Sequence, residues 1–425
     1  MTNHTPHHQS SNLTQIKKNT FWLVSFQLAK MVFPFLTLPI LTRRLTVETY
    51  GNLTYVKTIM NFMQILVDFG FMLSATKELA KINHVNHQEK INHLIESIIS
   101  DTMLARIILG IFGFLLTLLL CQTIPILKQN LCFTLLSYLP VFLSIFLFDF
   151  LFRGLEIIHI MTIRFILMKI ISLILTIIFV QRDQQIVLIP IFDILSSFIA
   201  IFLVIFEIKK LGFHFNKPNL RSSLLALKNS FIYFLSDISA TTFNAISTII
   251  IGLVFTSTDV GLFGLSIQII GAIQSLLGQL SNSVYPQMIR EKSYTFIKQI
   301  FKRTLPVIFT FTLLVTIFSP IVLQIIASSK YHQAAQIIQI LAITIFISFC
   351  NTLLGWPTLG VINHQTSVTI STISSTVFNL TALLILFSCQ KLTLISVAII
   401  RVVTEVILFA IRYYFFKKYR QEFNS

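Results

Sequence analysis

Apolar residues in this chain fall into runs of about 20, each closed by a short polar or basic segment. A run of that length matches the α-helix that crosses a hydrocarbon layer about 30 Å thick. Twelve can be placed, over residues 20–41, 50–72, 102–123, 131–152, 157–180 and 185–206, then 231–255, 260–285, 305–327, 334–356, 366–388 and 392–413. The pattern predicts an all-α polytopic membrane protein, with about twelve transmembrane helices in two pseudo-symmetric six-helix bundles around a central cavity. The expected organisation is a disordered cytoplasmic tail over 1–18, a first bundle over 19–210, a cytoplasmic linker over 211–228, a second bundle over 229–414 and a tail over 415–425.

Four of the runs carry polar residues at helical spacing. On the second, Tyr50, Thr54, Lys57, Asn61, Gln64 and Asp68 fall within about a quarter of the helix circumference. The first carries Gln27, Lys30, Pro34 and Thr37; the seventh Ser230, Asp237, Thr241, Asn244 and Thr248; the eighth Gly264, Gln268, Ser275, Gln279 and Asn282. A lipid-facing helix has no use for such rows, so they are expected to line one shared polar cavity. Packing is the plain alternative for the small and hydroxyl residues, since membrane helices are joined by such contacts at about 0.6 kcal/mol each.

The charged members of the rows say more. Lys30 lies near mid-bilayer, where insertion costs about 2.5–3.5 kcal/mol, so it needs either a cavity anion or an ion-pair partner. Lys57 lies about 10 Å below the outer surface by helical rise, a depth from which snorkelling is the alternative. Asp68 and Asp237 sit near the inner ends of their helices and are candidates for coupling or gating. Lys30, Lys57, Gln27, Asn61, Gln64, Asn244, Gln268 and Gln279 are the candidate substrate contacts. Arg164 and Lys169 would extend the basic surface inward, unless Asp149 and Asp193 neutralise them. Arg401 and Glu405, one turn apart, are read as a self-neutralising pair.

Composition and charge then fix topology. Of the 425 residues 55% are hydrophobic and only 11% charged, against about 25% in a soluble domain, which leaves no room for a soluble catalytic domain. The net charge of +16 would suggest nucleic acid in a soluble protein. Here 19 of the 32 Lys and Arg fall in the termini and even-numbered connections and only 6 in the odd ones, so the excess orients the chain with both termini in the cytoplasm. The Arg43-Arg44 pair breaks this trend at the outer hinge and is expected to meet lipid headgroups. Cys121, Cys132, Cys350 and Cys389 form no metal-binding or redox spacing. The polar N-terminus, with His4, His7 and His8, has no signal-peptide pattern. No metal or cofactor is expected.

The two halves repeat. A shift of 210 residues aligns Asn19 with Asn229, Thr46 with Thr256, Gly51 with Gly261 and Gln64 with Gln274, without a gap. Six helices per half starting from the same side make a parallel repeat about an axis along the membrane normal. A cleft with cations at mid-depth suits an amphiphilic anion whose lipid tail stays in the bilayer.

Several stretches, taken together and in order, resemble the Wzx-type polysaccharide flippases, a branch of the exporter superfamily that includes the multidrug MATE exporters and the lipid II flippases. They are FPFLTLPILTRRLTVETYG, VDFGFMLSATKELAK, the FRGLE connection after the fourth helix, the block from Lys228 to a Tyr285-Pro286 turn, and NTLLGWPTLGVINHQ. The family's RxLGxEGYG pattern reads RRLTVETYG here, which puts the flexibility of the outer hinge in doubt. The resemblance implies translocation of an undecaprenyl-pyrophosphate-linked oligosaccharide across the bacterial inner membrane by alternating access, for O-antigen or capsule synthesis. It also implies membrane lipids, a polysaccharide polymerase and a chain-length regulator as partners. Coupling to protons or sodium is left open. A drug exporter of the same fold is the nearest rival, but would favour acidic residues at mid-depth. A membrane-embedded polymerase or ligase is the rival enzyme, but the short outer loops and the lack of a paired-carboxylate or Ser/His/Asp set speak against it.

Overall fold

The computed structural model describes residues 6–82 and 88–423, and among them twelve helical stretches are long and apolar enough to cross a membrane. Spans 1 to 6 are Lys18–Arg44, Val47–Ile82, Ile91–Thr123, Leu131–Gly154, Ile158–Phe179 and Asp183–Lys210. Spans 7 to 12 are Leu220–Val254, Ser257–Glu291, Tyr294–Ile326, Ala334–Gly360, Gln365–Ser388 and Leu394–Lys418. The all-helical, twelve-span class read from the apolar runs is what folds, and the chain is a multi-pass membrane protein.

The ends differ from expectation. Helix begins at Pro6, well inside the segment read as an irregular tail, while His4 lies outside the described residues. The segment read as a linker is non-helical only over residues 211–219. Its His214 amide and Asn216 side chain donate to Glu96, at 2.8 and 3.0 Å, and its Asn219 amide donates to Asp101 at 2.7 Å, before helix resumes at Leu220. The Tyr285-Pro286 turn is not a turn: Pro286 lies within the helix, which ends at Glu291.

Spans 2, 8 and 12 each start from a hydroxyl cap that satisfies an orphan backbone donor. Thr46 Oγ1 accepts from the Thr49 amide at 3.2 Å, Thr256 from that of Asp259 at 3.3 Å and Thr393 from that of Ser396 at 3.1 Å. Two spans are broken. Span 2 stops at Asp68, turns through Phe69 (φ 42°) and Gly70 (φ 73°), and resumes as the short amphipathic helix Phe71–Ile82. Span 4 tightens into a 3-10 turn at Ser144–Leu147 after Pro140, passes through a left-handed Phe148, and resumes as Asp149–Gly154. Span 10 ends in a wide turn, Gly355–Gly360, around Pro357. Proline supplies no amide there, and the Thr358 hydroxyl donates to the Leu353 carbonyl at 2.6 Å.

The chain packs as two compact units whose boundaries fall inside helices. Unit 1 comprises Met1–Thr37 and Val56–Ile238; unit 2 comprises Leu38–Tyr55 and Ser239–Ser425. Unit 1 thus keeps the first part of span 7, and unit 2 keeps the turn between spans 1 and 2. Unit 1 has a core of Phe148, Phe150, Phe152, Leu79 and Ile99; unit 2 has one of Met288, Ile297, Leu353 and Leu359.

The 210-residue repeat has a structural counterpart within unit 2. A Cβ on Gly51 would lie 1.7 Å from the Ser257 carbonyl oxygen and 2.9 Å from the Gly261 nitrogen. One on Gly261 would lie 2.4 Å from the Val47 carbonyl oxygen and 3.2 Å from the Gly51 nitrogen. Val47 and Ser257 are themselves 210 residues apart, so the starts of spans 2 and 8 meet through equivalent atoms, backbone against backbone.

Candidate functional site

The row on span 2 divides where its helix changes unit. At its N-terminal end, in unit 2, the Tyr50 hydroxyl donates to Gln268 Oε1 at 2.8 Å, and its ring meets that of Tyr331 edge-on with centroids 5.9 Å apart. Gln268, a candidate substrate contact, is therefore tied to the start of span 2. Further in, in unit 1, Lys57 and Asn61 are exposed.

Gln64 and Asp68 belong to a different structure. Asp68 Oδ1 pairs with the Arg106 guanidinium of span 3 at 2.6 Å, and Asp68 Oδ2 accepts from Gln64 Nε2 at 2.9 Å. Gln64 also donates to Ser144 Oγ at 2.9 Å, and Arg106 Nη1 to the Ile145 carbonyl at 3.3 Å. The cause is the break in span 4, which frees carbonyls that a continuous helix would satisfy. Arg164 does the same one step along. It is buried, donates to the Leu147 carbonyl at 2.7 Å and pairs with Asp149. Arg164 is thus no part of an accessible basic surface; the pairing with Asp149 that the sequence offered as the alternative is the one that forms. Gln64, with its amide given to Asp68 and Ser144, is likewise part of this brace.

Beside the brace, the start of span 7 lies close to the break in span 2. A Cβ on Gly70 would be 2.5 Å from Tyr233 Cβ and 2.9 Å from the Phe234 amide, so only glycine serves, on grounds of space as well as of its φ. The Ser74 and Ser230 hydroxyls are 2.6 Å apart, and the rings of Phe69 and Phe234 stack at 4.4 Å. One turn further along from Phe234, Asp237 is exposed.

On span 1, Gln27 and Lys30 are exposed, and the Lys30 ammonium sits 4.6 Å from the centre of the Phe26 ring. Lys169 on span 5 is half-buried. Arg43 does not simply face headgroups. It donates to the Ile325 carbonyl at 2.6 Å, at the C-terminal end of span 9, and its own carbonyl accepts from Lys330 Nζ at 3.4 Å. Cations there complement the negative ends of two helices.

In unit 2, Asn244 and Gln279 are exposed. Asn244 is oriented from behind: its Oδ1 accepts from Arg401 at 3.2 Å and its Nδ2 donates to the Ala240 carbonyl at 2.9 Å. Arg401 also donates to the Phe243 carbonyl at 2.6 Å and pairs with Glu405 at 3.3 Å, as the one-turn spacing predicts. Glu405 accepts from Asn351 at 2.8 Å, and Arg412 donates to the Asn351 carbonyl at 2.6 Å and to Ser371 and Thr372. This buried network is more than the local pair expected, and with Arg106 it is what sequence reasoning missed. The signal was present: an arginine inside a membrane span demands a named partner.

Among the described residues, no three His, Cys, Asp or Glu side chains gather as a metal site, and the four cysteines are free.

Residues 16–292 match the family model described as polysaccharide biosynthesis protein. A relative from Escherichia coli (strain K12), named "Putative O-antigen transporter", is 26% identical over 286 residues, covering 66% of each chain. One of the same name from Shigella dysenteriae is 25% identical over 293 residues, covering 66% of this chain and 69% of the relative. The chain thus matches just under two thirds of the length of the Escherichia coli relative. Among solved structures, a lipid II flippase MurJ in an inward closed conformation superposes with a TM-score of 0.72 at 13% identity, over 94% of this chain and 87% of that one. An inward-facing MATE family multidrug transporter gives 0.63 at 13% identity, over 93% and 95%. These likenesses show the fold.

Proposed function

As the chain belongs to the polysaccharide biosynthesis protein family, we propose that it is a flippase that carries an undecaprenyl-pyrophosphate-linked oligosaccharide across the bacterial inner membrane by alternating access, with both termini in the cytoplasm. The observation that carries this reading is the pair of exposed lysines, Lys30 and Lys57, inside the membrane spans of unit 1. Cations held at that depth are costly unless an anion visits them. A pyrophosphate head group meets that need, while its prenyl tail remains in lipid. The exposed amides Gln27 and Asn61 of unit 1 offer hydrogen bonds to sugar hydroxyls. Relatives named as O-antigen transporters support the same substrate class. Lysines in place of carboxylates argue against export of cationic drugs.

The product would feed a polysaccharide polymerase and a chain-length regulator. The ion that drives the cycle is a proton or sodium, with Asp237 as the exposed carboxylate available to it; Asp68 is already committed to Arg106. The test is flipping of the glycolipid in liposomes containing the purified protein. Lys30→Ala and Lys57→Ala are each expected to lower the rate, and the double variant to abolish it while the protein still reaches the membrane. Undiminished flipping by the double variant would refute the reading.

A further inference from the structure

Residues 419–423, read from sequence as part of a tail, are held from two sides. Span 12 closes at Lys418, and a 3-10 turn over Arg420–Glu422 follows. On one side the Arg420 guanidinium lies 4.5 Å from the centre of the Tyr294 ring, at the start of span 9. Phe423 is buried, its ring 6.4 Å from that of Tyr294 and 5.7 Å from that of Phe416. On the other side stands His364, in the short turn between spans 10 and 11. Its place is set by a left-handed Asn363 (φ 65°) and by its own amide, which donates to the Leu359 carbonyl at 3.0 Å. The His364 ring stacks face to face on Tyr419 at 3.5 Å, and its Nε2 lies 2.8 Å from Glu422 Oε2.

A carboxylate can only accept, so Nε2 carries the hydrogen of that bond. Nδ1 is then the atom that takes a second proton, and taking it breaks neither contact. It strengthens both: the hydrogen bond becomes an ion pair, and the stack becomes a cation over a π-face. Among the described residues, Tyr419 and Glu422 are the side chains that meet the imidazole. Lys418, 5.4 Å from the centre of the Tyr419 ring, is the charge that opposes its protonation, while Arg420 is turned to Tyr294. Imidazole changes charge nearer neutrality than other unperturbed side chains. The plain alternative is that Phe423 and Arg420 alone fasten the segment. That leaves a carboxylate and a parallel ring, which meet one imidazole from two directions, without a role.

We propose that His364, Tyr419 and Glu422 form a proton-operated clasp on the segment that follows span 12. Closed on the imidazolium, it fastens the turn between spans 10 and 11 to the end of span 12 and, through Arg420 and Phe423, to the start of span 9. As pH rises and the ring loses its charge, the hold on residues 419–423 loosens. The sign follows from the partners, since a carboxylate and a π-face both prefer the cation. The clasp lies wholly within unit 2 and is independent of what the protein carries.

The test is hydrogen exchange of the full-length protein in detergent, read by mass spectrometry on residues 419–423 and corrected for the intrinsic effect of pH. The amides of Tyr419, Glu422 and Phe423 donate to the carbonyls of Phe415, Tyr419 and Arg420, so their protection reports the closed form. Wild type is expected to be about three- to fivefold better protected at about pH 6 than at about pH 8. His364→Gln should abolish that difference, and Glu422→Gln should at least halve it. Glu422 is half-exposed, so its variant decides the matter should the histidine variant not fold. Equal protection of wild type at the two pH values overturns the proposal, even where both variants are less protected, because the contact is then one of packing alone. A pH dependence undiminished in either variant overturns it as well.

Discussion

Asp68 and Arg106 show how far a single pair can change the meaning of a residue. Read from sequence, Asp68 is a carboxylate near a membrane surface and a candidate gate. In the fold it is half-exposed, while the Arg106 it pairs with is buried and also holds the Ile145 carbonyl. The asymmetry predicts unequal mutational costs. Asp68→Asn leaves a buried guanidinium without its counter-charge and should lower stability by about 2–3 kcal/mol. Arg106→Met leaves a carboxylate that water can reach, so it should cost less, and the double variant should be close to Arg106→Met alone. Thermal unfolding of the three variants in detergent checks this; equal losses from the two single changes would mean that the pair acts through packing. Asp237, exposed one turn beyond Phe234, is the better candidate for an ion-coupled step. Asp237→Asn should reduce the dependence of flipping on the ion gradient, and Asp68→Asn should not do so selectively.

At the scale of elements, the fold departs from twelve straight rods at three points, the breaks in spans 2 and 4 and the wide turn that ends span 10. Each has a visible cause. Gly70 supplies a left-handed turn and a surface without a side chain, Pro140 precedes a 3-10 segment whose carbonyls two arginines cap, and Pro357 withholds an amide that a threonine hydroxyl replaces. The starts of spans 2 and 8 obey a tighter constraint, because Gly51 and Gly261 bring backbone against backbone. Gly51→Ala should destabilise by about 1–3 kcal/mol through overpacking. Gly271→Ala, a position with no atom within 4 Å of the added carbon, should be neutral or stabilising. Unfolding of the two variants side by side distinguishes a packing requirement from a general dislike of substitution in these helices.

For the whole molecule, much was legible in the chain. Twelve spans follow from run length alone, because bilayer thickness leaves helices little choice. The repeat was legible from Asn19, Gly51 and Gln64, whose partners lie in register where chance matches among Ile and Leu carry no weight. Less could be read of the brace around Asp68 or the network around Glu405. Their partners come from other spans, and helical periodicity gives the face of one helix without saying which helix it meets. The unit boundaries were illegible for a related reason. Residues 38–55 and 220–238 pack with the unit opposite to the one their place in sequence suggests, and a break in packing inside a continuous apolar run leaves no compositional mark. Orientation is testable at this scale: reporters fused to either end of the chain should be active only in the cytoplasm, as the distribution of Lys and Arg requires.

The meeting of Gly51 with Gly261 has a consequence for descent. Residues 210 positions apart that touch through matching backbone atoms satisfy the geometry of a self-complementary interface, the kind a two-fold homodimer forms from one sequence. A half-length ancestor would have needed just one such glycine, used twice. Once the copies were joined in tandem, a larger residue at either position would obstruct its twin as well as its own surroundings. Selection would then hold both sites, however far the rest of the two halves drifted apart.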